Sequence, residues 1–237
     1  MYPSGSTNLL NVGAPENFEE LRKIQISVSS RVSTEDVFHP GPTAGFDIAY
    51  EAERMFCGAA VVDYESMDIL ELRSLTFRER FPYVPTFLGF REAPAILRLL
   101  TALKVAPRIL IVNGHGTAHP SRAGLACFVG VENPDLATIG VAQRRLCGAP
   151  QDELSEAGSW SFLEYRGRCV GAVLLTVPGG KPIFVSPGHN ISIETSVEIV
   201  KHFVTDFRLP LPLKLAHEVA ERERGKYRSK HRALASE

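Results

Sequence analysis

Apolar positions along the chain change period several times, and each change marks an element. In ENFEELRKIQISVSSRV, Phe18, Leu21, Ile24 and Val28 recur at spacings of three and four, which predicts an amphipathic helix with Asn17 and Glu20 as its cap pair. Three β-like runs follow, TAGFDIAY (43–50), CGAAVVDY (57–64) and DILELRSLTF (68–77), rich in β-branched and aromatic residues. Their short polar connections imply an antiparallel meander. REAPAILRLLTALK returns to helical spacing through Ile96, Leu99, Leu100 and Leu103, with Pro94 suited to the first turn. RILIVNGHG (108–116) is then a continuous apolar run closed by two glycines, as in a strand buried on both faces and parallel to the first.

SRAGLACFVG predicts a helix of small residues, LATIGVA a strand, and CVGAVLLTV (169–177) with KPIFVS (181–186) a further pair. In ISIETSVEIVKHFVTDF, Val197, Val200, Val204 and Phe207 fall along one helical face, and LKLAHEVAERER predicts a last helix. The order is β-β-β-α-β-α-β with later additions. It predicts an α/β fold: a mixed sheet, an antiparallel meander feeding parallel strands by right-handed crossovers, flanked by helices. The ribonuclease H-like architecture has that order.

Composition narrows the class. With 237 residues, 44% apolar and 22% charged, the chain is globular rather than fibrous or disordered. No internal repeat or long linker divides it, so residues 1–237 are read as a single domain. The stretch ERERGKYRSKHR within residues 221–237 carries six Lys or Arg against two Glu and reads as a frayed helix or disordered tail. It is either a solubilising end or a phosphate-contacting arm.

No apolar run reaches the roughly 20 residues that span a bilayer, and MYPSGST lacks a secretory pattern, so a cytoplasmic protein with no membrane partner is expected. A formal net charge of −1 excludes a globally positive nucleic-acid surface but leaves room for a local basic patch. Cys57, Cys127, Cys147 and Cys169 form no CxxC pair and are expected to be buried thiols.

Several residues carry candidate chemistry. Asp47 interrupts an apolar strand, where a carboxylate is costly unless it is compensated, so it is either a solvent-face residue or a metal ligand. Pro82 and Pro85 bracket Tyr83 and Val84 and fix φ around an aromatic tip, which suits either a wedge between stacked bases or a rigid turn over the core. Glu92 lies near the start of a helix, where a surface capping carboxylate needs no function.

After Asn113, Gly114 and Gly116 allow close approach of a ligand, with His115 and His119 in the same loop. The HxxxH spacing is not a zinc motif, because Gly116 and Pro120 break the helix and the Glu of HExxH is missing. PGGKP lacks the spacing of a phosphate-binding P-loop. His189, between a strand and a helix N-terminus, is either structural or a holder of water or phosphate.

In long ordered motifs, GFDIAY, PYVPTFLGFREAP, GHGTAHPSRAGLA, TIGVAQRRLCG and PIFVSPGHNIS, the chain resembles the endonuclease V family from about Thr43 to Leu209. The resemblance implies a ribonuclease H-like fold, Mg²⁺ or Mn²⁺ as cofactor, and nucleic acid containing inosine, DNA or RNA, as partner. It implies cleavage of the second phosphodiester bond 3′ of hypoxanthine, as in DNA repair. It implies that Asp47 and Asn113 are metal ligands, that Glu92 is a catalytic carboxylate also near the metal, and that His189 belongs to the catalytic set. His119 supports the site, and Tyr83 with Pro82 and Pro85 forms the strand-separating wedge. Gly114, Gly116, Leu88 and Leu125 are candidates for the pocket of a flipped base.

Three positions depart from the family pattern: Asn113 stands for Asp, Gln143 for a Lys that would steady the phosphate, and Thr86 for Gly. Exchanging a carboxylate for an amide removes one negative charge from a metal shell, a loss of several kcal/mol even at moderate effective dielectric. The alternative to a slow nuclease is therefore an inosine-binding homologue that no longer cuts. A small-molecule hydrolase is a third reading, but it leaves the wedge without a purpose. The Asn113–Gly114 pair also raises the possibility of deamidation to Asp.

Overall fold

The computed structural model describes residues 18–37 and 39–234. The first helix, α1 (Phe18–Arg31), buries Leu21, Gln25 and Val28, while the cap residue Asn17 lies outside the described residues. The meander is β1 (Thr43–Glu51), β2 (Arg54–Val62) and β3 (Ile69–Arg78), paired antiparallel with Asp47 opposite Gly58. After α2 (Leu88–Ala102), β4 (Ile109–Asn113) joins β1 in parallel, and after α3 (Leu125–Val131), β5 (Ala137–Ala142) joins β4 in parallel. This is the expected ribonuclease H-like mixed sheet.

The chain continues through β6 (Ala149–Pro150), β7 (Trp160–Tyr165), β8 (Arg168–Leu174), β9 (Ile183–His189), α4 (Ile193–His202) and α5 (Leu211–Leu234). Nine strands form one sheet in the order β3-β2-β1-β4-β5-β9-β8-β7-β6. The β7–β8 hairpin was not expected from the sequence. It turns on Arg166 (φ 53°) and Gly167 (φ 72°), the paired positive φ values that a two-residue hairpin loop requires.

The central strand β4 shows why an unbroken apolar run was needed. Leu110 and Val112 enter a core with α1, α2 and α3, whereas Ile109 and Ile111 enter a second core with α4 and α5. The α5 helix can lie close on β1 and β2 because two glycines leave room for its backbone there. A Cβ on Gly45 would stand 2.1 Å from Pro212 O, and one on Gly58 would stand 2.4 Å from Ala216 O.

Several expectations are corrected. The second helix begins at Leu88, so Pro94 sits in its interior rather than its first turn. α4, capped by Ser192, ends at His202, which leaves Val204 and Phe207 beyond the helix and Phe207 exposed. Of the cysteines, Cys57 and Cys127 are buried, but Cys147 is half-buried and Cys169 is exposed at the open start of β8. The basic stretch after residue 221 continues α5 as helix through Leu234. Among the described residues no helix is long and apolar enough to cross a membrane.

Candidate active site

The carboxyl ends of β4 and β5 open into a cleft of about 640 Å³, where a parallel sheet ordinarily receives its ligand. Asp47, Glu92, Asn113, Gly114, His119 and Leu125 all contribute to its lining, although they come from β1, α2, β4, the following loop and α3. Tyr83, Leu88 and Gln143 line it as well.

Asp47 is buried and both its oxygens are engaged. Asn113 Nδ2 donates to Oδ1 at 2.6 Å, and His217 Nδ1 donates to Oδ2 at 2.6 Å. His217 comes from α5, delivered by the same contact that needs Gly45 and Gly58. The carboxylate raises the His217 pKa by accepting its proton in a hydrogen bond, against the opposing effect of partial burial.

Glu92, read from sequence as a possible surface cap, is buried in α2. Burial pushes its pKa up to about 8, and the nearby charge of Asp47 adds to this. Tyr50 opposes the shift by donating its hydroxyl to Glu92 Oε1 at 2.6 Å. Burial, with Glu92 adding to it, raises the phenol of Tyr50. Arg91 Nε donates to the Tyr50 oxygen at 3.1 Å and its guanidinium carbon lies 4.4 Å from the centre of that ring.

His119 holds two loops together. Its Nε2–H donates to Thr86 O at 2.9 Å, and its Nδ1 accepts the Ser121 N–H at 3.1 Å. Burial lowers its pKa to about 4, so the ring stays neutral. Gln25 Nε2 donates to the same Thr86 carbonyl at 2.6 Å. Thr86 itself has φ 70°, a conformation suited to glycine and strained for a β-branched residue, which accounts for the glycine expected there. Beside it Tyr83 projects to solvent, 68% exposed, between the exposed Pro82 and Pro85.

Two sequence candidates fall away from the cleft. Gly116 is packed under β9, where a Cβ would stand 1.9 Å from Pro187 O, and its amide donates to Ser186 Oγ at 2.8 Å. Its glycine serves loop packing rather than a ligand pocket. His189 ends β9 opposite Thr138, near the start of β5, whereas the cleft opens at the other end of that strand. Its Nδ1 accepts the Ser33 N–H at 3.1 Å, and it does not line the cleft.

His217 was missed. The available signal was Ala216 and Ala220, small residues four apart that mark the side of the helix lying close against a sheet.

Gln143 is held by Arg208, which donates from Nη1 to Gln143 Oε1 and from Nη2 to its carbonyl, each at 3.0 Å. A cation therefore stands directly behind the Gln143 amide. The Gly114 amide donates to Val141 O at 3.0 Å, which engages the nitrogen that deamidation of Asn113 would need as nucleophile.

Among the described residues no three His, Cys, Asp or Glu side chains converge as a metal cluster. The cleft instead offers two carboxylates and the amide oxygen of Asn113. These are hard oxygen donors of the kind Mg²⁺ accepts, and the raised pKa of Glu92 marks a buried acid whose charged form a cation would stabilise.

A family model described as Endonuclease V matches residues 26–218. An endonuclease V of Roseiflexus sp. (strain RS-1) is 38% identical over 211 residues, covering 89% of this chain and 95% of that protein. One from Thermofilum pendens is 41% identical over 212 residues, covering 86% and 88%. The crystal structure of the endonuclease V from Streptomyces avermitilis superposes with a TM-score of 0.83 at 31% identity, covering 90% of this chain and 95% of that one. That of Ciona intestinalis, in complex with a 24mer DNA containing an inosine followed by a ribo-adenosine, gives a TM-score of 0.78 at 26% identity, covering 90% and 100%.

Proposed function

The chain belongs to the endonuclease V family, and on that premise we propose that it is a Mg²⁺- or Mn²⁺-dependent endonuclease acting on inosine in DNA or RNA. It cleaves the second phosphodiester bond 3′ of the hypoxanthine base. The observation that carries this reading is the convergence of Asp47, Glu92 and Asn113 in one cleft whose rim bears the exposed ring of Tyr83. The inosine-containing DNA bound to the Ciona intestinalis relative supports the choice of substrate.

Asp47, Glu92 and the Asn113 amide oxygen would hold the cation, which supplies charge neutralisation at the attacked phosphate and activation of water. His217 fixes the orientation of Asp47 and holds a proton against it. Tyr50 fixes Glu92 in the same way. Tyr83 enters the stack on a loop that loses little entropy on insertion, and Gly114, Leu88 and Leu125 receive the displaced base. Gln143, oriented by Arg208, turns its amide nitrogen to the phosphate. His119 acts at a distance by tying the Thr86 end of the wedge to the loop after β4.

The test is a nicking assay on labelled oligonucleotides with one inosine, in DNA and in RNA, with each metal. The expected product ends at the second bond 3′ of inosine and disappears in Asp47→Ala. Selective retention of the inosine strand without product at any metal concentration would instead establish the binding-only reading. That reading is favoured by one observation: Asn113 already occupies an Asp47 oxygen that a metal would use.

A further inference from the structure

We propose that an arginine-lined groove beside the Tyr83 loop, outside the cleft, carries the sugar-phosphate backbone of the bound nucleic acid. The proposal rests on the nucleic-acid reading above and extends it to a surface that the chemistry does not need. The groove, of about 250 Å³, runs between the end of β3 and α2. Arg78, Arg80, Arg91 and Arg98 line it over a floor that includes Phe81 and Phe90, whose stacked rings lie 5.8 Å apart. No carboxylate is in its lining.

The loop between β3 and α2 separates this groove from the cleft. Arg80 and Phe81 face the groove, whereas Tyr83 and Val84 line the cleft. Arg91 bridges the two, with its guanidinium carbon 5.9 Å from the centre of the Tyr83 ring and its Nη2 2.9 Å from Glu79. Arg91 is largely buried and paired with Glu79, so the positive charge open to a strand beyond the wedge is that of Arg80 and Arg98.

The charge is not all consumed within the protein. Arg78 pairs with Glu53 at 2.8 Å, but both side chains are largely exposed and such a pair gives way readily to a competing phosphate. The side chains of Arg80 and Arg98 are exposed and make no ion pair or hydrogen bond among the described residues. The groove follows α2 from Arg91, whose charge Glu79 already balances, to the exposed Arg98 seven residues on, about 10 Å along the helix. Over that length one strand of B-form duplex presents about three phosphates. Planar guanidinium groups match phosphate oxygens in pairs, and flat phenyl rings beneath them tolerate sugar and base without selecting a sequence.

The experiment measures binding of the full chain to a labelled duplex of about 30 base pairs with a central inosine, in EDTA so that nothing is cut. Salt is varied from 50 to 200 mM, and the Arg80→Ala/Arg98→Ala double variant is compared with the unsubstituted protein. Losing two phosphate contacts should weaken binding about tenfold at the low-salt end and reduce the slope of log affinity against log salt by about 1.4 to 1.8. The loss should be equal for inosine and adenosine duplexes, since backbone contacts carry no base information.

Thermal melts of both proteins should coincide, because both side chains are exposed. Unchanged affinity and slope with binding intact in the unsubstituted protein would overturn the groove alone, and would leave it to an acidic protein segment. A loss confined to inosine would overturn it by assigning the arginines to lesion recognition. Absence of binding by the unsubstituted protein would overturn the nucleic-acid reading and the groove together.

Discussion

Asn113 donates its amide to Asp47 Oδ1 at 2.6 Å, so the side chain at the end of β4 hydrogen-bonds its acidic neighbour without adding charge of its own. Asn113→Asp converts that hydrogen bond into a contact between like charges. Without metal the variant should melt lower, by roughly 2 to 4 °C for each kcal/mol lost in a chain of this size. With Mg²⁺ the sign should reverse, because the second carboxylate restores the charge of the metal shell. The expected readout is a larger Mg²⁺-induced rise in melting temperature and cleavage faster by at least tenfold, as a charge at about 4 Å is worth up to about 4 kcal/mol at an effective dielectric near 20. A variant with unchanged melts and unchanged rate would show that position 113 does not meet the cation.

His119 sets a pH dependence of stability. Its Nδ1 accepts from the Ser121 amide, so a proton there would face a donor in a buried site. The folded pKa of about 4 lies below the unfolded value near 6.5. A depressed pKa gives stability that is present above the unfolded value and is lost as pH falls through the folded one. The native state should therefore weaken between pH 6.5 and 4, by an amount on the order of 3 kcal/mol at full protonation. Urea midpoints at pH 7, 5.5 and 4.5 measure this, and His119→Gln should flatten the part of the decline that belongs to this residue.

Thr86 is held at φ 70° while its carbonyl accepts from both Gln25 and His119. Thr86→Gly removes the steric cost of a β-branched side chain in that region, which outweighs the greater freedom glycine has in the unfolded chain. The variant should be more stable by up to about 1 kcal/mol, read as a higher urea midpoint with an unchanged slope. A lower midpoint would mean that the threonine side chain makes a contact stronger than the strain.

Tyr83 is the exposed tip of the proline-bracketed loop, and its removal costs the fold little. Tyr83→Ala should slow nicking of an inosine duplex substantially while leaving a single-stranded inosine substrate almost unaffected, because only the duplex needs to be parted. Equal losses on both substrates would assign Tyr83 to base recognition rather than to strand separation.

The sequence made the meander, the two crossovers and most of the cleft legible for a simple reason. Asp47, Glu92 and Asn113 sit in elements whose apolar periods are unmistakable, and Tyr83 sits between two prolines. His189 and His217, unlike His119, were not legible in that way. His189 follows a strand and precedes a helix cap, a setting that suits a ligand, but strand register turns it to Ser33 at the far end of β5. His217 sits in a helix whose partner is fixed only by long-range packing onto β1 and β2. The β7–β8 hairpin escaped notice because Arg166 is an unusual residue at positive φ.

The glycines under α5 allow that packing to be tested apart from the chemistry. Gly58 lies opposite Asp47 in the β1–β2 register and touches no cleft residue through a side chain. Gly58→Ala would drive a methyl group to 2.4 Å from Ala216 O and 2.7 Å from Ala220 N, backbone atoms that cannot move without shifting the helix. Overpacking of this kind costs about 1 to 3 kcal/mol. The displaced element also carries His217, so the His217–Asp47 hydrogen bond should lengthen or break. The variant should lose stability in urea, and the ring protons of His217 should titrate at a lower pH than in the unsubstituted protein, followed by NMR. His217→Ala separates the two effects, since it removes the hydrogen bond to Asp47, and with it cleavage, while leaving α5 seated on the sheet. If Gly58→Ala left both stability and the His217 titration unchanged, α5 would not be seated on the sheet as described, and the geometry that brings His217 to Asp47 would have to be abandoned.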